Sequence, residues 1–547
     1  MTGGPNKRSE AFRAAASHWA NMPKRPKLNS TSAESRSSNV AAPDIIDISS
    51  DEESQEDIIK VQLKKSPIKL LYNPSYDQSE ESKVNKDTIS IHNLVGVKDL
   101  SETFQFNFNV DLLFFLKYLH PEFSKKRRRI TFITGSKLLE PGPVSDLINS
   151  KFNYHEIIAN IPNRFGSHHT KMMINFFEDD TCEIVIMTCN FTKLDFGGLT
   201  QMIWRSERLQ KGQTTTIQGS RFRKDLLDYL LKYNKPDINS LVERLKLFNF
   251  SSIEVELIAS APGVYDILNS NKDDEIYGYG KFYQVLKRNH LLIDNRTASK
   301  MYNFLAQVTS ISYPSIVEKS QTGSIFTHII APMVFSGNQE FKILQPGAKS
   351  SKQHQKDHYY MPHLIFPSVK EMSTNNVGFG AGQAIHFNYT QSFVHKNQYE
   401  QNIKPYLRKW NSSGKDQVTG REFVMPHCKF FICDNGDNWN SLKWLLVGSH
   451  NLSKQAWGGS SQKKETKGVS SKYEVSSYEL SVMIIPKQNE KLVPCYGIDT
   501  VATSDVQPVR LPFKLPPVSY EKDDTPWANR MSHGNIKDKF GETYNID

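Results

Sequence analysis

A His-x-Lys triplet that leads through two apolar runs to an Asn occurs twice in this chain. Any fold has to bring both copies to useful positions. The first copy is His169-Thr170-Lys171. It runs into Met172 to Phe177, a polar turn at Glu178 to Thr181, a second apolar run from Cys182 to Thr188, and then Cys189-Asn190. The second copy is His427-Cys428-Lys429. It runs into Phe430-Phe431-Ile432, an Asp/Asn/Gly-rich loop, the run Leu442 to Val447, and then Gly448-Ser449-His450-Asn451. Two such runs joined by turn residues predict a hairpin of buried strands. Residues i and i+2 of a strand share a face, so each His points the same way as its Lys. The returning strand ends beside the start of the first. It therefore delivers Asn190 to His169 and Lys171, and Asn451 to His427 and Lys429. One His-x-Lys alone is uninformative, because solvated strand ends often carry one; two copies that both close on Asn are far harder to obtain by chance.

Each half thus offers one imidazole, one ammonium and one carboxamide, a set that suits a phosphodiester. Lys is a point charge for phosphate oxygens and the Asn amide is a neutral donor. His can attack, give or take a proton near neutral pH. Two facing half-sites supply a nucleophile and a general acid on opposite sides of one phosphorus. Two lysines can neutralise charge as Mg²⁺ does elsewhere, so neither a metal nor another cofactor is expected. A further polar residue opens a strand after each Asn: Gln201 in the first half and Glu479 in the second. The chain therefore reads as an internal duplication. The expected fold is α/β, with two similar domains, each a mixed sheet flanked by helices. They are related by a pseudo-twofold axis, with the active site between them.

These residues resemble the phospholipase D superfamily, whose members carry two His-x-Lys motifs. The wider superfamily places an Asp five residues after the Lys. Here that position is Phe176 in the first copy, and in the second it is Asp434, within a turn. Loss of that Asp with a retained Asn is similar to one branch, the tyrosyl-DNA phosphodiesterases, with a fungal member the expected kind. Phe165 to Met173, Asn451 to Gly458, and Ser477-Tyr478-Glu479-Leu480 strengthen the likeness. The resemblance implies hydrolysis of the 3′-phosphotyrosyl bond between DNA and a topoisomerase I-derived peptide, leaving a 3′-phosphate. It implies His169 as nucleophile and His427 as general acid and then base. Lys171, Lys429, Asn190 and Asn451 would hold the non-bridging oxygens, Glu479 would orient His169, and Gln201 would serve His427. Ser310 and Ser312, in a loop rich in Ser and Thr, together with Ser453 and Phe165, are the expected DNA contacts. The substrate would be a single- or double-stranded DNA end with a 3′-linked tyrosine or peptide, and other 3′ adducts are candidates too. Another phospholipase D-type nuclease, a lipid phosphodiesterase, and a non-catalytic DNA-end binding module are the alternative readings.

The chain has 547 residues and a net charge of +10, a balance that suits a polyanionic partner. No apolar run approaches the ~20 residues of a membrane span. The five cysteines, Cys182, Cys189, Cys428, Cys433 and Cys495, have no C-x-x-C spacing and read as free thiols. Two of them sit within the motifs, which makes inhibition by thiol reagents an expectation. The organisation expected is a disordered tail over 1–66, a first phospholipase D-like domain over 67–252 and a second over 253–547. The tail carries Lys7-Arg8 and Lys24-Arg25-Pro26-Lys27, a spacing that suits a bipartite nuclear import signal or simply a solvated tail. It also carries Ile45 to Ile48 followed by serines and acids, a segment similar to motifs that bind the small ubiquitin-like modifier. A nuclear monomer is expected. The run Lys125 to Arg129 reads as a solvated rim that attracts DNA backbone. The polar stretch Leu344 to His358 reads as a surface loop, and Gln462 to Ser471 as an insert.

Overall fold

The strand Met172–Phe177 shows how the first copy of the repeat builds its half. Every residue in it is buried, and so is every residue of its hairpin partner Cys182–Met187. Alternation divides the strand between two cores. Met172, Ile174 and Phe176 enter the larger apolar cluster, while Met173 and Phe177 enter a smaller one on the other face. A sheet covered on both faces has no need of polar alternation, which is why these runs are continuously apolar.

The computed structural model describes residues 62–74, 84–269, 274–296, 300–312, 315–318, 321–335, 351–460, 471–503 and 505–546. All of them lie in one compact unit, Ile59–Asp547. The two basic clusters, the Ile45 to Ile48 segment and residues 462–470 lie outside the described residues. Gln62–Lys65 falls inside the stretch assigned by composition to the tail, yet it is a strand, paired antiparallel with Thr500–Thr503. Its partner lies more than 400 positions away in sequence, and composition carries no trace of that pairing.

Two mixed sheets dominate. The first has seven strands in the order Ile68–Leu70, Met202–Arg205, Cys182–Met187, Met172–Phe177, Leu100–Phe106, Arg129–Thr134, Asn153–Ile158. The second has nine strands. Its main path runs Leu407–Arg408, Tyr360–Ile365, Tyr302–Gln307, Phe430–Asp434, Leu442–Gly448, Glu479–Ile484, Val255–Ser260. The second hairpin, Phe430–Asp434 with Leu442–Gly448, occupies the same central place as the first does in its own sheet. The larger apolar cluster contains residues of both sheets and of the helix Ile217–Leu231 between them in sequence. That helix packs on Val255–Ser260. Its Asp225 pairs with Lys281 at 2.6 Å and Arg288 at 2.9 Å, both on the helix Tyr279–Arg288. Among the described residues no helix is long and apolar enough to cross a membrane.

Two expectations change. Residues Ser351–Asp357 form a helix rather than loop. The basic run is largely committed to neighbouring protein groups. Arg128 is buried, bonding the carbonyls of Lys98 and Leu100 and the Glu178 carboxylate; Arg129 pairs with Glu102 and Asp237, and Lys126 with Glu178. The run also lies at the far end of its sheet. Arg129–Thr134 is parallel to Leu100–Phe106, which is antiparallel to Met172–Phe177. Arg129 therefore starts its strand at the end opposite to Lys171.

Candidate active site

The two His-x-Lys segments do not begin inside their own sheets. Each is an extended lead-in that pairs with the opposite half. His168 bridges in parallel to Tyr478, with the His169 N–H donating to the Tyr478 carbonyl at 2.9 Å. Pro426 bridges in parallel to Thr200, and the His427 N–H donates to the Thr200 carbonyl at 2.9 Å. The residue after each bridging partner is the polar residue that the repeat singled out, Glu479 or Gln201. The duplication thus reads as an exchange, in which each half supplies the backbone that places the other half's histidine.

In both lead-ins the lysine reaches back along the chain to the backbone of its own histidine. The Lys171 ammonium donates to the His169 carbonyl at 2.8 Å, and the Lys429 ammonium to the His427 carbonyl at 2.5 Å. On the opposite face of the first lead-in, His168 lies between the Asn107 carbonyl and the Tyr233 hydroxyl, both at 2.9 Å. Thr170 bonds the Tyr229 hydroxyl at 2.5 Å. These contacts anchor the segment from behind. Phe108 lies edge-on to His169 at 5.2 Å between ring centroids and under the Lys171 ammonium at 5.6 Å.

Each imidazole is held through Nδ1 by a carboxylate from the other half. His169 Nδ1 is 2.7 Å from Glu479 Oε2. His427 Nδ1 is 2.5 Å from Asp195 Oδ1. Nδ1 then carries the proton of that bond and Nε2 is the free ring nitrogen. Gln201 also lies near His427, 3.2 Å from Nδ1, but its amide N–H donates to Asp195 Oδ1 at 2.7 Å, and its carbonyl accepts from Thr188 at 2.7 Å. Gln201 therefore braces the carboxylate that holds His427. Asp195 was not among the expected site residues. Its sequence signal, Thr192-x-x-Asp195, is that of a helix N-terminus. It does serve as one, because Thr192 caps the helix Lys193–Gly197 through the Asp195 N–H. The same carboxylate is then also available to His427.

The two amides differ. Asn451 Oδ1 accepts from the N–H groups of Thr309 at 3.1 Å and Ser310 at 3.0 Å, which turns its NH₂ away from that loop. Asn190 donates weakly to Asp195 Oδ2 at 3.4 Å, and its Oδ1 is buried without a partner. Ser310 is paired through its own loop to Leu452, next to Asn451. Ser453 caps the helix Lys454–Trp457. Phe165 is 62% exposed, with the Arg164 guanidinium 4.6 Å from its ring centre, so it belongs to no core. Trp457 is fully buried. Asp434 bonds the Asn303 backbone and side chain at 2.7 Å, at the end of its strand opposite to Lys429, away from the histidines.

Burial and crowding set the protonation states. Burial pushes the Glu479 carboxyl up to about 7, against the pull of His450 and Lys171. Burial also acts to raise Asp195, but the charge and hydrogen bond of His427 outweigh it and hold Asp195 at about 2. Burial and Lys429 lower His427 to about 4 against the opposing field of Asp195. Burial, Lys171 and Lys429 drive His169 well below the ordinary histidine range. Burial and Lys429 lower Lys171 to about 7, and burial lowers Lys429 to about 8. Such a site is short of negative charge, the condition that a phosphate relieves. The cysteines of the motifs are no part of this chemistry. Cys189 and Cys428 are fully buried with their thiols raised by that burial, so the expectation of thiol-reagent inhibition loses its basis.

The family model for tyrosyl-DNA phosphodiesterase matches residues 68–521. The chain is 27% identical to the probable tyrosyl-DNA phosphodiesterase of Schizosaccharomyces pombe, over 85% of this chain and 92% of that protein. It is 24% identical to tyrosyl-DNA phosphodiesterase 1 of Saccharomyces cerevisiae, over 95% of this chain and 96% of that protein. The crystal structure of the yeast tyrosyl-DNA phosphodiesterase superposes with a TM-score of 0.65 at 24% identity, covering 84% of this chain and 98% of that one, and so shares the fold. A match across residues 68–521 takes in both His-x-Lys half-sites, and this chain belongs to the tyrosyl-DNA phosphodiesterase family.

Proposed function

We propose that this chain is a DNA repair phosphodiesterase that hydrolyses the 3′-phosphotyrosyl bond between DNA and a topoisomerase I-derived peptide. The observation that carries the reading is the pair of histidines, each tied at Nδ1 to a carboxylate of the opposite half, with two lysines beside them. That arrangement leaves two Nε2 atoms for two chemical tasks.

The tasks follow from the electrostatics. Asp195 stays ionised and opposes the lowering of His427, which lies at about 4 in the free enzyme; the negative charge of a bound phosphate adds to that opposing field and favours the second proton, on His427 Nε2, in the complex. His169 lies further below the ordinary range and keeps its Nε2 lone pair. In the first step His169 Nε2 bonds the phosphorus and the bond from phosphorus to the tyrosine oxygen breaks. His427 Nε2 gives its proton to that oxygen. In the second step water attacks the phosphorus, its proton passes to His427 Nε2, and the bond from phosphorus to nitrogen breaks. The products are a 3′-phosphate and free tyrosine or peptide. Lys171, Lys429 and the Asn451 amide hold the non-bridging oxygens, and Asn190 completes the cradle. The donor set is imidazole, ammonium and carboxamide, so the neutralisation of phosphate falls to the lysines.

Ser310, Ser312, Ser453 and Phe165 belong to the DNA side in this reading, with Phe165 free to stack on a base. The enzyme works in the nucleus as a monomer, and the tail's Ile45 to Ile48 segment takes the small ubiquitin-like modifier. The test is turnover of a 3′-phosphotyrosyl oligonucleotide in EDTA, beside phosphatidylcholine and an unmodified oligonucleotide. Tyrosine release in chelator is expected from the first alone. Hydrolysis of the lipid or of unmodified DNA, with the tyrosyl substrate left intact, would overturn the assignment. The rate should follow a bell-shaped pH profile, because one histidine must start neutral and the other protonated.

A further inference from the structure

The histidine that precedes His169 faces the other way and has partners of its own. His168 is buried, and both of its ring nitrogens are committed. Nδ1 meets the Asn107 carbonyl and Nε2 the Tyr233 hydroxyl, each at 2.9 Å. A carbonyl only accepts, so Nδ1 carries the ring proton and Nε2 accepts from Tyr233. That choice fixes every proton behind it. The Tyr233 hydroxyl has used its one proton, so Tyr229 donates to it at 2.9 Å, and Thr170 donates to Tyr229 at 2.5 Å. The result is a single directed chain from Thr170 through Tyr229, Tyr233 and His168 to the Asn107 carbonyl. It leaves the lead-in at Thr170 and returns to it at His168, so it brackets His169. Buried bonds in such a series strengthen one another.

The end of the chain reaches other groups of the site. Asn107 Oδ1 accepts from the N–H groups of Phe108 at 2.9 Å and Asn109 at 3.3 Å, which leaves its NH₂ to donate to the Cys189 carbonyl at 3.3 Å. The Asn109 carbonyl accepts from the Phe191 N–H at 3.0 Å. Asn190 therefore sits between two residues tied to the Asn107 loop. On the other side, the Tyr233 ring stacks on Tyr478 at 4.5 Å with 20° between the planes. The Tyr478 carbonyl receives the His169 N–H, and the next residue is Glu479. The chain thus touches the segments that carry His169, Asn190 and Glu479. Burial keeps it from titrating, because it lowers His168 to about 3 and raises the hydroxyls of Tyr229 and Tyr233. The second half has no equivalent: the residue before His427 is Pro426, whose ring makes no hydrogen bond.

We propose that His168 is a positioning residue, which sets the angle at which His169 Nε2 meets the phosphorus by locking the lead-in to the loop of Asn190 through the Asn107 carbonyl. This rests on the function proposed above. His168 moves no proton, so it acts on the rate of the first bond-forming step and leaves substrate affinity and the limbs of the pH profile alone.

The test is the single-turnover rate constant on a 3′-phosphotyrosyl oligonucleotide at saturating enzyme, a quantity that the loss of folded molecules does not change. His168→Ala should lower it on the order of 10²-fold, the effect of a small misplacement of a reacting group, and the pH limbs should stay in place. Steady-state KM should remain within about threefold of wild type. His168→Asn keeps an amide donor where Nδ1 stood and should recover most of the loss. His168→Gln puts its amide where Nε2 stood, keeps only the Tyr233 contact and should recover little. Should His168→Ala fold poorly by its Tm, the Asn and Gln pair decides. Equal constants in Asn and Gln, or limbs that move, would overturn the proposal. If wild type released no tyrosine, the function proposed above would fall, and positioning would be read from His169 itself in the free protein. In ¹⁵N-histidine NMR the Nδ1–H signal of its bond to Glu479, identified by its absence in His169→Ala, should persist in His168→Asn and be lost in His168→Gln. No difference among wild type, Asn and Gln would overturn the proposal.

Discussion

The two half-sites share a backbone plan and differ in one carboxylate. Both place a histidine two residues before a lysine, and both carry an Asn on the returning strand. Both receive a carboxylate at Nδ1 from the opposite half. In the first, the partner of His169 is Glu479, with its carboxyl raised by burial to about 7. In the second, the partner of His427 is Asp195, held at about 2 and braced by Gln201 and Thr192. Pairs of groups pushed apart in this way mark the acid and base assignments of a site. In the proposed mechanism a duplicated fold becomes asymmetric through the groups around its histidines. The position of Asp195, five residues after Asn190, is Ala456 after Asn451, so the second half has no counterpart to it.

The comparison is broken most simply by removing each histidine. His169→Ala deletes the proposed nucleophile, and kcat should fall on the order of 10⁴-fold or more. The loss should be as large with a 4-nitrophenyl ester as with tyrosine, because no leaving group compensates for a missing nucleophile. His427→Ala should cost about 10²- to 10⁴-fold on the tyrosyl substrate. With the 4-nitrophenyl ester, whose leaving group needs no proton, the first step should persist, and an acid-labile DNA adduct should accumulate. Equal losses on both esters in His427→Ala, with no adduct, would reverse the assignment or remove it.

The carboxylates sharpen the comparison further. Asp195→Asn removes the charge that opposes the downward shift of His427, and its amide can impose the wrong tautomer. A loss of about 10²-fold or more is expected, with the alkaline limb of the pH–rate profile moved to lower pH. Glu479→Gln keeps an acceptor for His169 Nδ1 in place of a carboxyl that is partly protonated near neutrality. Its loss should be nearer tenfold, with less movement of the limbs. Measured profiles with the two losses in the opposite order would show that the field of Asp195 does not set the roles.

Much of this was legible in the sequence because strand geometry is local. The period-2 rule places His169 with Lys171 and His427 with Lys429, and the hairpins bring the Asn residues back. Glu479 and Gln201 were visible as matched polar residues opening strands. Asp195 was not, because its reach to His427 depends on the pairing of Thr200 with Pro426 across the two halves, and its local pattern is that of a helix start. The basic run Lys125 to Arg129 was misleading for the converse reason. Charge shows in a sequence, but the carboxylates Glu102, Glu178 and Asp237 that meet it come from three other segments. His168 was visible beside the motif but its part was not, since its partners Asn107 and Tyr233 come from two other segments.

The smallest expected effect is on stability, and the same asymmetry governs it. Lys171 is lowered by burial and by Lys429 to about 7, while Lys429, equally buried, benefits from the field of Asp195 and reaches about 8. Unfolded, both return to about 10.4. Between the folded and unfolded values the unfolded chain holds more protons, so stability rises with pH across that window, and the cost of the buried charge is full below it. The Tm of the wild type should therefore climb from pH 7 towards pH 9. Lys171→Met should raise Tm at pH 6.5 by about 1–3 °C and flatten that climb, while abolishing turnover. Lys429→Met should gain less, because Asp195 loses a cationic neighbour that Glu479, partly neutral, needs less. A larger gain from Lys429→Met, measured by thermal denaturation at pH 6.5, would mean that the two lysines do not feel their carboxylates as the geometry requires.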